Sequence, residues 1–202
     1  MQDFFYEESS KMSNERSGKT KYYIFKTLSI VSYVLFALWL LFFIFSYDLS
    51  ALNGGIGQIL LSLLITLLPA GFFLASGIVL GKFKDRFYVD YDYTLVSGSI
   101  RFSKIIKEIK RKNITAFEAS EIEKIGKYGS ELFEKYAHMP DVKTVILTSN
   151  ETPEEKKDFY YMVVSHDGEK KLYVLECTEL FIVNVLKFAK RTVIDEELKK
   201  QK

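Results

Sequence analysis

The sequence predicts an α+β membrane protein. A two-helix transmembrane hairpin comes first. An antiparallel β-sheet or barrel domain of about six or seven strands follows, closed by a C-terminal α-helix. Three observations carry this reading. Charge is segregated: residues 27–81 hold one charged side chain, Asp48, although the 202-residue chain carries 28 Lys and Arg against 26 Asp and Glu, a net +2. Two uncharged apolar runs inside that window are each long enough to cross a bilayer. Beyond them the pattern changes to period-two alternation and short β-branched runs. With 17 Phe and 13 Tyr, the composition excludes a disordered chain.

Residues 1–21 read as a mobile polar tail on the cytoplasmic side. Phe4, Phe5 and Tyr6 interrupt it and would suit a short interfacial or partner-docking segment. The hairpin occupies 22–83. Its first span covers about 27–47, bordered by Tyr22, Tyr23 and Tyr47 as interfacial aromatics. This run is longer than the apolar core of a cleaved signal peptide. A short outer loop, 48–56, leads to a second span at about 57–81, which contains Pro69. Pro is tolerated in membrane helices and bends them.

Lysine and arginine fix the expected orientation. Lys11, Arg16, Lys19, Lys21 and Lys26 precede the first span, Lys82, Lys84 and Arg86 follow the second, and the loop has none. Positive residues stay inside, so both termini are expected in the cytoplasm of a multi-pass plasma-membrane protein. No ionisable residue lies within either span, which argues against an ion-coupled pump built from one chain. In the second span Gly71 with Ala75 and Gly77 with Gly81 place small residues four apart. That spacing suits close approach of another helix, either the first span or a second copy of the chain.

The domain at 84–202 opens with alternation. Phe87, Val89, Tyr91, Tyr93 and Leu95 are apolar, and Asp90, Asp92 and Thr94 lie between them. Ser97-Gly98 offers a tight turn, and a second strand runs from about Ser99 to Ile106. A third passes through Ile114, Ala116 and Phe117. Between 120 and 140 the pattern is irregular, with Ser130 a candidate N-cap for a short helix through Tyr136. Strands follow at Val142–Thr148, Asp158–Ser165 and Lys170–Cys177, the last two joined by an Asp167-Gly168 turn. Thr178 caps a long terminal helix with Ile182, Val185, Leu186, Ala189 and Val193 on one face.

This order resembles the bacterial pleckstrin-homology-like domains that follow one or two membrane helices in many Gram-positive proteins. The likeness rests on Phe87–Phe102 (FYVDYDYTLVSGSIRF), Lys110–Phe117 (KRKNITAF) and Phe159–Arg191 (FYYMVVSHDGEKKLYVLECTELFIVNVLKFAKR). The chain as a whole is also similar to a clostridial family of two-helix membrane proteins. The resemblance implies a binding domain at a bacterial plasma membrane and carries no catalytic activity with it.

Motifs for chemistry are absent. There is no phosphate-binding glycine loop after a strand, no HExxH and no nucleophile elbow. His166 and Asp167 fall in a hairpin turn. Cys177 has no His at motif spacing and reads as a buried thiol. Asp90 and Asp92 read as an exposed strand face. The expectation is a non-enzymatic protein without cofactor or metal, integral to the lipid bilayer and without nucleic-acid partners. Its role is binding or scaffolding of a protein partner, or of a second copy of itself. Two alternatives stand beside it. The basic stretch Lys104, Lys107, Lys110, Arg111 and Lys112 would suit anionic headgroups. The small residues at 71–81 would suit an accessory subunit of a membrane transport complex.

Overall fold

A computed structural model describes residues 4–46, 55–190 and 192–195. The end of the first span at Tyr47 and most of the expected outer loop, including Asp48, lie outside the described residues. The chain divides into two compact units. One is helical, Arg16–Tyr88. The other joins the residues up to Glu15 with those from Val89 onward.

The helical unit contains α1, Glu15–Ser46, and α2, Ile56–Phe83, followed by a 3-10 turn at Lys84–Arg86. Both are long and apolar enough to cross a membrane. α1 begins well before the apolar run: residues 15–26 contain no proline, and the helix runs through Gly18. Pro69 is accommodated inside α2. The two helices meet where Ser29 Oγ donates to the carbonyl oxygen of Gly77 (2.7 Å). A Cβ at Gly77 would lie 2.8 Å from the Tyr33 ring. Close approach therefore requires glycine there.

The other unit is built on two four-stranded sheets. The first has the order β1-β2-β3-β4, with β1 Phe5–Ser10, β2 Val89–Val96, β3 Ser99–Ile106 and β4 Lys110–Glu118. All its pairings are antiparallel. A 3-10 turn at Ala119–Glu121 leads to the second sheet, order β5-β7-β8-β6. Its strands are β5 Ile122–Lys127, β6 Val142–Ile146, β7 Asp158–His166 and β8 Glu169–Cys177. The expected turns at Ser97-Gly98 and Asp167-Gly168 form with positive φ at all four residues, the backbone that tight two-residue hairpins need.

The inner faces of both sheets and α4, Glu179–Leu186, enclose one core around Tyr93, Phe102, Tyr173, Leu175, Phe181 and Val185. A second cluster lies on the outer face of the second sheet. There α3, Glu131–Ala137, packs Phe133 over Val142, Tyr161, Val163, Leu172 and Val174. The predicted caps hold: Ser130 Oγ accepts from the Phe133 N–H (3.2 Å), and Thr178 Oγ1 from the Phe181 N–H (3.4 Å).

Five expectations need correction. Residues 1–21 are not simply a mobile tail, because Phe5–Ser10 forms β1 and pairs along β2 from Phe5↔Val96 to Ser10↔Tyr91. Phe4 and Tyr6 dock on the domain's own core, against Phe188 and Phe181. A domain of 84–202 is therefore incomplete: the helical hairpin is an insertion between two paired strands. Among the described residues there are eight strands rather than six or seven. They are not wholly antiparallel, since β6 runs parallel to β8. The terminal helix is short. It stops at Leu186, and the β-branched run Thr192-Val193-Ile194 favours extended backbone instead. The N–H of Ile125 donates to the carbonyl of Val193 (2.9 Å) and that of Asp195 to the carbonyl of Ile125 (2.8 Å), which covers the β5 edge.

Candidate functional site

Among the described residues of this unit, no helix packs over the outer face of the first sheet. Its register sets side chains in cross-strand rows, with neighbouring strands about 4.8 Å apart. One row is Phe5, Val96, Ser99 and Glu118. The next is Glu7, Thr94, Arg101 and Ala116. Then come Ser9, Asp92, Ser103 and Asn113, and last Asp90, Ile105 and Arg111. A register shift next to Phe102 and Ser103 keeps Asn113 and Arg111 on this face. Part of these rows, Phe5 and Glu7 of β1, Thr94 and Val96 of β2, Ser99, Arg101 and Ser103 of β3, and Arg111 and Asn113 of β4, lines a groove of about 660 Å³, a size typical of ligand sites.

Carboxylates outnumber cations on this face: Glu7, Asp90, Asp92 and Glu118 stand against Arg101 and Arg111. Arg111 reaches across from β4 to pair with Glu7 on β1 and, at 2.8 Å, with Asp92 on β2. The Glu7 carboxylate, followed by Asp92, keeps the Arg111 guanidinium protonated beyond its ordinary range. Ser9 Oγ donates to the other oxygen of Asp92 (2.7 Å), so Asp92 is only 5% exposed. Asp90 accepts the N–H of Met12 (2.9 Å), while burial raises its pKa. The two aspartates thus share the predicted face, but each is occupied. The Glu118 side chain caps the 3-10 turn. Arg101 sits in the centre with no ion pair to any described residue.

The basic stretch does not form a single surface. β3 and β4 are joined by a turn in which Lys107 and Glu108 take positive φ. Lys104 and Lys112 face each other across the ladder on the side opposite Arg111. Arg111 is tied to Glu7 and Asp92, so it does not act with the lysines. The turn presents Ile109, 79% exposed, beside exposed Lys110 and Lys112.

The small residues of α2 also separate. Gly77 and Gly81 face α1 at Tyr33 and Ser29, whereas Gly71 has nothing within 4 Å of a Cβ position and Ala75 is exposed. Cys177 is fully buried, and burial raises its thiol pKa well above the ordinary value. His166 is not merely a solvated turn residue: its ring lies 2.8 Å from Glu121 Oε1. No group of His, Cys, Asp and Glu suited to a metal occurs among the described residues.

Sequence reasoning missed Glu7, Arg101 and Ser103, although Thr94 and Arg101 obey the outward alternation of their strands. It also missed Glu176, a carboxylate at 0% exposure in an apolar strand. Glu176 accepts from Ser10 Oγ (2.7 Å), Thr148 Oγ1, Asn150 Nδ2 (2.8 Å) and the Glu154 N–H (2.8 Å). Asn150 in turn accepts the Ser13 N–H (2.7 Å) and donates to the carbonyl of Lys11 (2.8 Å). This cluster secures the segment between β1 and α1. Nothing in the local sequence announces it, because its donors are spread from Ser10 to Glu154.

A family model described as Bacterial PH-like domain (DUF6106) matches residues 2–195. No curated protein and no solved structure matches the chain. Because the family match takes in β1, the helical hairpin and both sheets as one unit of sequence, this chain belongs to the bacterial PH-like domain family.

Proposed function

We propose that this protein is a non-enzymatic, multi-pass protein of the bacterial plasma membrane with both termini in the cytoplasm. In this reading its PH-like domain binds a protein partner at the inner membrane face through the outer face of the first sheet. One observation carries the site. The second sheet is covered on its outer face by α3, and α4 commits Phe181, Ile182 and Val185 to the core, while the outer face of the first sheet stays open and polar. The terminal helix is therefore a poorer docking element than this sheet.

Membrane insertion is supported by the apolar side chains that α1 and α2 leave exposed, such as Leu38, Phe42, Leu68 and Phe72. Core helices of soluble proteins bury such residues. The pairing of β1 with β2 supports placement of both hairpin ends on one side of the bilayer. It also argues against signal cleavage, which would remove a strand of the sheet.

The test uses the full chain in native membranes with a photo-crosslinking residue at Thr94, or at exposed Lys143 on β6 as the control. A discrete protein adduct from position 94 and none from 143 is expected. Equal capture at both positions, or none at 94, overturns the reading.

A second reading has its own observation. The β3–β4 turn shows exposed Ile109 between Glu108 and Lys110, with Lys112 two residues further on, and an exposed apolar residue beside lysines suits an anionic lipid surface. The full chain in neutral nanodiscs would then capture anionic vesicles at low salt and lose them on Lys110→Gln with Lys112→Gln. Capture that ignores both changes rejects it.

A further inference from the structure

We infer that residues 192–195 form a latch: the Asp195 carboxylate seats this C-terminal strap, and the seated strap holds α3 over the second sheet. The backbone bonds between strap and sheet centre on one residue, Ile125. Lys124 Nζ donates to the carbonyl of Thr192 (3.0 Å), and Val193 enters the core at 2% exposure. Thr192 is exposed, and the described residues between α4 and the strap form neither helix nor strand. Segments of this kind open locally at low cost. What seats the strap is Asp195, which is only 3% exposed although it carries a carboxylate.

Two hydroxyls meet this carboxylate. Ser130 Oγ and Tyr161 Oη both donate to Asp195 Oδ2, at 3.1 and 3.0 Å. Burial, and after it the Asp195 charge, raises the Tyr161 pKa well above its ordinary value, so the phenol keeps the proton it donates. β5 leaves the space: a Cβ at Gly126 would lie 2.7 Å from Asp195 Oδ2 and 2.6 Å from the Tyr161 ring. The same two hydroxyl residues support α3. Ser130 Oγ accepts from the Phe133 N–H as the N-cap, and the Tyr161 ring packs against Phe133 with centroids 5.8 Å apart. A serine hydroxyl has one proton. Committed to Asp195, that proton leaves the oxygen lone pairs for the Phe133 N–H. Without Asp195 the hydroxyl is free to turn, and the cap loses its fixed acceptor. Release of the strap therefore loosens α3, which covers the apolar face formed by Tyr161, Val163, Leu172 and Val174. The device links the C-terminal strap to the exposure of that face.

The test is amide hydrogen–deuterium exchange, read by mass spectrometry on the full chain in neutral-lipid nanodiscs. Asp195→Ala should speed exchange at least about tenfold at Ile125 and across α3, the scale of losing a hydrogen bond to a charged group. Segments from β2 and β3 should stay within about twofold, because the opening is local. In a Ser130→Ala background, Asp195→Ala should change α3 exchange by about threefold or less, since the shared hydroxyl is gone. Asp195→Asn keeps the side-chain shape and is the second variant, for the case that Asp195→Ala does not fold; it should give the same pattern with a smaller rise. Fast exchange at Ile125 with α3 unchanged would mean a loose strap that holds nothing, and overturns the inference. An equal rise in β2 and β3 would make Asp195 a support of the whole domain, and overturns it as well. So would an Asp195→Ala effect on α3 that persists in full without the Ser130 hydroxyl.

Discussion

The two sheets share one core and differ in what lies on their outer faces. β7 and β8 read as nearly continuous apolar runs, and both of their faces are buried, one under the common core and one under α3. β2 and β3 alternate: one face lies in the core, and the other is polar and partly exposed, with Asp92 and Ser103 sheltered at 5% and 3% exposure. A strand covered on both sides has no reason to alternate, whereas a half-covered strand must. The second sheet thus serves stability on both sides. The first leaves a polar surface whose side chains are ordered by one another rather than by a covering layer.

The sharpest way to break this contrast is to mutate one residue on each outer face. Phe133→Ala opens the α3 cover and should destabilise the domain by about 3–4 kcal/mol, as for a buried aromatic in a core. Arg101→Ala on the open face should change stability by less than about 0.5 kcal/mol. Thermal melts of the two variants check this, and similar losses would mean that the first sheet is also a packing surface. Asn150→Ala is next. It strips the Glu176 carboxylate of a donor and releases Ser13 and Lys11, and should cost about 2–3 kcal/mol in the same melt. Arg111→Gln should be smaller, about 0.5–1 kcal/mol, because the guanidinium is half exposed and its pairs are screened. The effect should shrink at high salt, which a melt in 1 M salt, a Debye length of about 3 Å, would show.

The smallest effect is a pH dependence at the far end of the second sheet. The Glu121 carboxylate raises the pKa of His166 above its ordinary 6.5, and the His166 ring lowers that of Glu121 below 4.5. The histidine contribution is complete below pH 6.5 and is lost as pH rises through its raised folded value. The glutamate contribution is complete above 4.5 and is lost as pH falls through its lowered folded value. The pair therefore supports the fold most between those limits. Melts of the native chain and His166→Gln should converge above the raised histidine value and separate near pH 6. Curves that run parallel across this range would remove the pair from the account.

What the sequence made legible follows the range of each signal. The hairpin turns at Ser97-Gly98 and Asp167-Gly168, the caps at Ser130 and Thr178, and the apolar helices all depend on neighbouring residues. β1 does not. Six residues, preceded by Phe4 and with Tyr6 facing inward, are too short to stand out from a tail, and their partner strand lies beyond the whole hairpin. The site was only half legible for the same reason. The basic stretch is conspicuous in the sequence, yet alternation divides it between two sides of the sheet and Glu7 claims Arg111. Arg101 looks ordinary in the sequence, and only the register shows that its acidic neighbours are already engaged.

The insertion of α1 and α2 between β1 and β2 has a consequence for biogenesis. β1 leaves the ribosome first and finds its neighbour only after both helices have been made. Closing that connection carries the entropy of a long loop. For a chain whose helices enter a bilayer, the sheet closes only when both hairpin ends emerge on the same side. In the proposed topology, completion of the domain would report that both hairpin ends had emerged on one side. A molecule threaded the wrong way would display β2 with an unpaired edge and the Glu176 pocket without Ser10, the exposed features by which quality control recognises unfinished protein.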